Sequence, residues 1–333
     1  MGSRCVGSRH GSQNQGERRP LRSRVSANRV GLLTGIPATS AIIVFTTTVS
    51  HTFGRSTYGV LLSAIEADLG ISHTTAGYGS TVIFGSYLVG LVLVAAFAPR
   101  AEPINIMRAG LFSGTVGLTI LAFAPSFVVL LIGLAFAAGA GAGIWITAPL
   151  LATEGVPVNR RGFVIGMLSG TIGLGSVVVG LSIGIIRSTS GNSLAWRPIW
   201  FGEAVFTAFL LMLVVLLVRP AKTEQLEGGF SVDRLREVPG WMAITAGYAM
   251  FGLVIAGLQT FIVVAMEEDA GLTRGQAAGV WALMGVGGIF SAPGLGLLSD
   301  RVGRRPLIVA IMLLIGCGAV VLALGRGFVV AGA

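Results

Sequence analysis

Long apolar runs separated by short polar segments make up almost the whole chain after its first 36 residues. Most runs are close to the ~20 residues that an α-helix needs to cross a bilayer. Nine runs can be placed, at residues 37–64, 76–98, 106–123, 127–152, 162–186, 199–218, 241–265, 276–298 and 307–325. The pattern predicts an all-α, multi-pass membrane protein.

The composition agrees with this prediction. The chain is 53% hydrophobic and 11% charged, whereas about a quarter of the residues of a soluble protein are charged. The net charge of +9 lies in loops and in one tail, and no basic face alternates with aromatic residues, so we expect no nucleic-acid partner. The two cysteines, Cys5 and Cys317, cannot build a metal site or a disulfide framework. No catalytic triad is grouped, and we expect neither an enzyme nor a cofactor.

The distribution of positive charge predicts the orientation, because cytoplasmic loops carry more Arg and Lys. Basic residues fill the tail at 1–30, which we interpret as a disordered cytoplasmic arm or as the result of a misassigned start codon, and they recur in every second loop. These loop residues are Arg100, Arg108, Arg160, Arg161, Arg219, Lys222, Arg234, Arg236, Arg301, Arg304 and Arg305. One outer loop, with Arg187 and Arg197, departs from the rule. The N-terminus is therefore predicted to be cytoplasmic.

An internal repeat predicts two related halves. Residues 64–72 resemble residues 265–273 at a shift of 201 residues, and the same shift aligns Tyr58 with Gln259. Parallel six-helix repeats are the plan of one large transporter class. The predicted organisation is a six-helix bundle at 31–218, a cytoplasmic linker at 219–239, and a partial bundle of three helices at 240–333.

The short basic segment between the last two apolar runs carries a motif. It reads Gly296-Leu-Leu-Ser-Asp300-Arg301-Val-Gly303-Arg304-Arg305. This segment resembles the G-x-x-x-D-R-x-G-R-R loop signature of the major facilitator superfamily, while the corresponding earlier loop keeps only Arg100. The resemblance implies a twelve-helix fold, so that a chain ending after nine helices would be C-terminally truncated. Gly54-Arg55-x-x-Tyr58 also resembles the first helix of the YbfB-like and cyanate-permease-like branch.

The resemblance implies a function. We expect a secondary active transporter, or permease, for a small and anionic organic solute, with two bundles rocking to give alternating access. We expect a monomer in the lipid bilayer of a bacterial plasma (inner) membrane. Coupling to protons stays open, because Ala135 stands near the fourth-helix position where many proton-coupled members carry Arg. The alternative is a truncated, transport-incompetent relic or a membrane assembly partner.

By resemblance, the motif would act as a gate. Asp300 would cap the start of the fifth helix, since a carboxylate stabilises a helix N-terminus. Arg301 and Arg305 would pair with Glu154, and these contacts would break as the halves rock. The alternative is that the basic residues only hold the loop in the cytoplasm.

The first apolar run contains the candidate binding site. A charge within a membrane helix normally faces a cavity or a partner, which makes Arg55 the candidate for a carboxylate contact. His51 and Tyr58 share its helix face, and the repeat adds Gln259 from the other half. Trp145 would supply an aromatic wall. For Arg55, the alternatives are snorkelling to the outer surface or pairing with Glu203; His51 is either a proton relay or simply hydrogen-bonded.

Overall fold

The computed structural model describes residues 37–190, 196–219 and 236–324, and in these ranges it contains helices and turns but no strand. The helices are α1 Ala38–His51, α2 Thr57–Leu69, α3 His73–Phe97, α4 Pro103–Ala122, α5 Phe127–Ala152, α6 Val158–Ser190, α7 Arg197–Leu217, α8 Trp241–Glu268, α9 Arg274–Val302 and α10 Arg304–Leu324. Within these ranges, six helices are long and apolar enough to cross a membrane. The all-α membrane class is confirmed. The predicted tail at 1–30 and most of the linker at 219–239 lie outside the described residues.

The predicted repeat is visible at two equivalent turns. Gly70 (φ 62°) follows α2 and Gly271 (φ 69°) follows α8, each in the left-handed conformation that glycine adopts at helix ends. Ser72 then caps α3, its hydroxyl accepting a 3.2 Å hydrogen bond from the Thr75 N–H. Thr273 accepts a 3.3 Å bond from the Gln276 N–H at the start of α9. The same turn chemistry therefore stands at both copies of the repeated segment.

The first predicted segment is broken in its middle. α1 and α2 are separated by Thr52–Ser56, a π-type turn in which Phe53 (ψ 139°) and Gly54 (φ 66°) leave the helical conformation. A Cβ atom on Gly54 would lie 2.8 Å from the Ala137 Cβ on α5. Hydrophobic periodicity predicts a continuous helix here because it does not report the dihedral angles of one residue.

Small residues bring the helices into close contact. A Cβ on Gly141 of α5 would lie 2.6 Å from the Ser50 carbonyl oxygen of α1, and one on Gly175 of α6 would lie 2.5 Å from the Thr48 Cγ2. α6 packs most extensively against α9, where a Cβ on Gly173 would lie 2.5 Å from the Gly285 carbonyl oxygen. Helices in lipid associate largely through such packing. Gly141, Gly173 and Gly175 therefore lie at helix crossings where an added side chain would collide with the neighbouring helix.

The region predicted as a loop between residues 298 and 307 is mostly helical. α9 continues to Val302, and α10 begins at Arg304. Only Gly303 interrupts them, with φ at 91°, a conformation that costs other residues about 1–2 kcal/mol. The apolar run ends before the helix does. Charged residues end the run, whereas a helix can extend past the hydrocarbon into water.

Contacts between polar side chains tie α2, α3, α8 and α9 together at one end of the bundle. His73 at the start of α3 lies between two carboxylates: Nδ1 is 2.9 Å from Glu66 Oε1, and Nε2 is 3.1 Å from Glu268 Oε1. Arg274 donates to the Ser63 carbonyl oxygen at 3.2 Å, and its Nε lies 3.5 Å from Glu267 Oε2. We call the five charged or ionisable residues among them the terminal clasp: Glu66, His73, Glu267, Glu268 and Arg274.

Candidate functional site

Arg55 lies at the break between α1 and α2 and points toward α3. The Cζ of its guanidinium group is 4.7 Å from the centroid of the Phe84 ring and 5.2 Å from that of Tyr87. Both rings stand near the middle of α3, a helix that is long and apolar enough to cross a membrane. Cation–π attraction stabilises a guanidinium in this position, yet it leaves the N–H groups without acceptors.

No carboxylate pairs with Arg55 in the part of the chain that the structure describes. Its Nε is buried and has no hydrogen-bond partner there. A guanidinium carries five N–H donors in a planar fork that fits a carboxylate. Aromatic rings therefore hold the Arg55 guanidinium in place, and its N–H groups remain available as hydrogen-bond donors.

His51 and Trp145 join the same site. Their ring centroids are 4.3 Å apart, and the His51 ring also meets Tyr87 edge to face at 6.2 Å. The His51 Nδ1 lies 2.6 Å from the Ser50 hydroxyl oxygen. Tyr87 therefore contacts both predicted ionisable residues, and the structure brings His51, Arg55 and Trp145 together.

Tyr58 and Gln259 lie elsewhere. The Tyr58 side chain is 1% exposed, and its hydroxyl donates to the Ala76 carbonyl oxygen at 2.7 Å, so it packs α2 against α3. Gln259 lies where α8 meets α2, since the Gln259 carbonyl group occupies the space into which a Cβ on Gly59 would project. Its Oε1 is buried without a hydrogen-bond partner among the described residues.

Glu203 on α7 forms hydrogen bonds with residues at the break between α1 and α2 and does not pair with Arg55. The side chain is buried at 5% exposure. Oε2 accepts a hydrogen bond from the Gly54 N–H at 3.2 Å, and Oε1 lies 2.6 Å from the Thr57 hydroxyl oxygen. The alternative in which Arg55 pairs with Glu203 is not observed.

Sequence reasoning missed Phe84, Tyr87 and the position of Glu203. Two aromatic residues three positions apart share a helix face, and this signal was present in α3 but is equally typical of ordinary packing. An acid inside an apolar run is a stronger signal of function. Nothing in the pattern, however, shows which neighbouring helix receives the carboxylate.

The predicted gate is only partly described. Glu154 and Arg305 are exposed, and Glu154 forms no ion pair with any residue whose side chain is described. Arg100 is exposed and donates to the Ala96 carbonyl oxygen at 3.3 Å. The described part of the structure does not include the side chains of Asp300, Arg301 and Arg304 or the surroundings of Gly296. The gate of Gly296, Asp300, Arg301, Gly303, Arg304 and Arg305 stays a prediction.

A separate apolar cavity of about 840 Å³ lies between α3, α4 and α5. Ala135, which stands near the fourth-helix position where many proton-coupled members carry an arginine, lines this cavity. The cavity does not include Arg55, His51 or Trp145. Ala135 therefore belongs to a different surface from the Arg55 site.

Comparison with known proteins decides the family. The family model described as Major Facilitator Superfamily matches residues 44–332. The chain belongs to this superfamily. Solved superfamily structures share the fold: a bacterial homologue of the human lysosomal transporter Spinster, in an inward-facing and unoccupied conformation, has a TM-score of 0.59 at 19% identity, covering 80% of this chain and 62% of that one. A D-xylose-proton symporter has a TM-score of 0.53 at 15% identity, covering 80% and 70%.

Curated relatives of this superfamily member are named as an efflux protein and as multidrug resistance proteins. The Aspyridones efflux protein of Neocamarosporium betae is 30% identical over 176 residues, which is 52% of this chain and 29% of that protein. The Multidrug resistance protein MdtG of Dickeya zeae (strain Ech586) is 29% identical over 168 residues, 48% of this chain and 40% of that protein. The matches span less than half of the length of these relatives. The YbfB-like and cyanate-permease-like branch stays a prediction.

Proposed function

We propose that this superfamily member is a secondary transporter of a small organic anion, and that Arg55 binds the carboxylate of the solute. The observation that carries the proposal is the Arg55 guanidinium, which lies against two aromatic rings near the middle of α3 without a carboxylate partner among the described residues. Leaving a charge there is costly. An anionic solute would supply the missing partner.

The break between α1 and α2 adds to the attraction for an anion. α2 begins at Thr57, two residues after Arg55, and the N-terminus of a helix carries a partial positive charge. Broken helices of this kind direct such ends toward anionic substrate groups in other transporters. Arg55 and the start of α2 would act on the same ligand, while Trp145 and Tyr87 would contact its apolar part.

Alternating access would follow from the helix pairs that join the two repeats. α2 contacts α8, and α6 contacts α9; we propose that the bundles at 31–218 and 240–333 rock about these pairs. Relatives are named as efflux and multidrug resistance proteins, and a structural neighbour is named as a proton symporter. These names support transport across a membrane, which we propose is the plasma membrane of a bacterium.

The test is ligand-induced stabilisation of the purified chain in detergent. Benzoate and lactate are the probes, with benzamide and lactamide as neutral controls of similar shape. A ligand at one hundred times its Kd raises stability by about 2.7 kcal/mol, which thermal unfolding detects. We expect the acids to stabilise the wild-type chain and the amides to have little effect.

Replacing Arg55 separates its role from general charge effects. Hydrogen bonds to a charged group contribute about 1.5–3 kcal/mol, so Arg55→Gln should weaken binding of the acids roughly 10- to 100-fold. Arg100→Gln, which changes an exposed arginine outside the site, is the matched control and should bind normally. Equal stabilisation by acids and amides, or unchanged binding in Arg55→Gln, would reject the anion site.

A further inference from the structure

The carboxyl group of Glu203 sits in a short chain of hydrogen bonds that crosses from α7 to the break. The Thr57 hydroxyl oxygen lies 2.6 Å from Glu203 Oε1 and 3.1 Å from the Thr52 carbonyl oxygen. The other carboxyl oxygen, Oε2, accepts from the Gly54 N–H at 3.2 Å. All these atoms belong to buried residues, so water does not replace a missing bond.

The number of hydrogen atoms available to these hydrogen bonds depends on whether Glu203 is protonated. A threonine hydroxyl carries one hydrogen, and here two oxygens lie within bonding distance of it. If Glu203 is ionised, the Thr57 hydrogen bonds either Oε1 or the Thr52 oxygen, and one contact has no hydrogen. If Glu203 is protonated at Oε1, its hydrogen bonds Thr57, and the Thr57 hydrogen bonds Thr52. Only the protonated form gives every short contact a hydrogen.

Among the residues that the structure describes, no charged side chain compensates an ionised Glu203. α7 packs against α1, the break, α4 and α6. His51 at the end of α1 faces Trp145 and Tyr87, and Arg55 in the break faces the rings of α3.

The arginines of α4 and α6 with described side chains are also turned elsewhere. Arg108 of α4 donates to Asn105 and to the Val218 carbonyl oxygen. On α6, Arg160 and Arg161 lie in the first turn, where Arg161 donates to the Val156 carbonyl oxygen. Within the described residues, no cation forms an ion pair with Glu203.

We propose that Glu203 is a proton-binding site and that binding and release of its proton reset the hydrogen bonds of the α1–α2 break. On protonation, an O–H bond forms at Oε1, and the Thr57 hydrogen turns from Oε1 to the Thr52 carbonyl oxygen. On release, the proton goes to solvent and the Thr57 hydrogen turns back. The Gly54 N–H bonds Oε2 in both states.

The Glu203 site bears on transport because Arg55 lies, in the amino-acid sequence, between Gly54 and Thr57, which both bond the Glu203 carboxyl group. Gly54 precedes Arg55 and Thr57 follows it by two residues, so a change in the hydrogen bonds of the break acts on the backbone that carries the guanidinium. A buried carboxylate without a cation is costly, and a nearby anion would add to the cost. The link to solute binding rests on the proposed function, whereas the proton site itself does not.

Infrared spectroscopy tests the proton site without any solute. A protonated carboxyl group has a carbonyl stretching band that is separate from the bands of a carboxylate and that shifts in D₂O. Spectra of the full chain in lipid are recorded in near-neutral buffer, where exposed carboxyl groups are ionised, and in alkaline buffer. The variants are Glu203→Gln, which keeps the size of the side chain and an acceptor for Gly54, Thr57→Val, which removes the hydroxyl, and Glu102→Gln, an exposed acid that serves as the control.

We expect a protonated-carboxyl band that is present in near-neutral buffer, disappears in base, and is missing in Glu203→Gln but present in Glu102→Gln. Thr57→Val should move the band to higher frequency, because the carboxyl hydrogen loses its acceptor. A band that persists in Glu203→Gln, that is absent at every pH, or that never disappears in base would overturn the proposal. Size-exclusion chromatography in detergent, before transfer to lipid, confirms that each variant is folded before its spectrum is compared.

Discussion

Gly54 is the residue on which the geometry of the break depends. Its φ of 66° lies in the left-handed region, and a Cβ there would lie 2.8 Å from the Ala137 Cβ. Its N–H would normally bond within the helix, and here it bonds Glu203 instead. A residue with a side chain would therefore oppose both the backbone conformation and the approach of α5.

We predict that Gly54→Ala destabilises the chain by more than the backbone term alone, which is about 1–2 kcal/mol. The matched control is Gly70→Ala, because Gly70 has a φ of 62° and no atom within 4 Å of an added Cβ. Thermal unfolding in detergent compares the two variants with the wild-type chain. Equal loss in both would contradict a steric role for Ala137.

The site could be predicted from sequence where a residue type was unusual for its position. Arg55, His51 and Trp145 are polar or aromatic groups in apolar helices, and the structure brings them together. Tyr58 shares a helix face with Arg55, and both side chains are directed at α3. Periodicity places the two residues on one face, but it could not show that Tyr58 bonds Ala76 near the start of α3 while Arg55 lies against Phe84 and Tyr87.

At the scale of helices, buried hydroxyl groups join α1 to α6. Thr171 of α6 lies with its hydroxyl oxygen 2.7 Å from that of Thr47 and 3.0 Å from the Val44 carbonyl oxygen. Thr48 donates to the Thr171 carbonyl oxygen at 3.0 Å, and Thr52 donates to that of Ile172 at 3.0 Å. In lipid no water competes for these groups, so the helices satisfy them between each other.

We predict that Thr171→Val lowers the free energy of unfolding by about 0.6 kcal/mol, and by at most about 1.7 kcal/mol, the range measured for hydrogen bonds between membrane helices. Thr115→Val is the control, because the Thr115 hydroxyl bonds the Leu111 carbonyl oxygen of its own helix. Equilibrium unfolding in mixed micelles measures both. A larger loss in Thr115→Val would contradict a role for the hydroxyl between α1 and α6.

Hydropathy predicted the end of one helix more accurately than that of another, and the difference has a physical cause. The end of α5 at Ala152 was predicted to the residue, since a polar segment follows the apolar run there. α9 was predicted to end at residue 298 but continues to Val302. Hydropathy reports where the bilayer ends, whereas Gly303 and its dihedral angles decide where the helix ends.

Across the molecule, the terminal clasp joins helices that are far apart in sequence. A neutral imidazole has one N–H, and only the protonated ring donates from both nitrogens. His73 has a carboxylate at each nitrogen, while Arg274 and Glu267 pair beside it. Protonation of His73 therefore strengthens the contact of α2 and α3 with α8.

We predict that His73→Gln lowers the unfolding temperature more in mildly acidic buffer than in alkaline buffer. The sign follows from the protonated ring being the form that bonds both acids, so its stabilisation is present at low pH and is lost as the pH rises. Glu268→Gln should show a smaller effect of the same sign. A temperature difference that is the same at both pH values would contradict protonation as the cause. The size will be modest, since the ring is half exposed and water screens the contact.

The contact of Gly173 with Gly285 has a mechanical consequence. Side chains at most helix crossings can change rotamer and so change the distance between the helices, but here each glycine faces the carbonyl oxygen of the other. Backbone atoms have no rotamers. Rotamer changes therefore cannot alter the separation of α6 and α9 at this point, and a change in their crossing angle would have to turn about these two glycines.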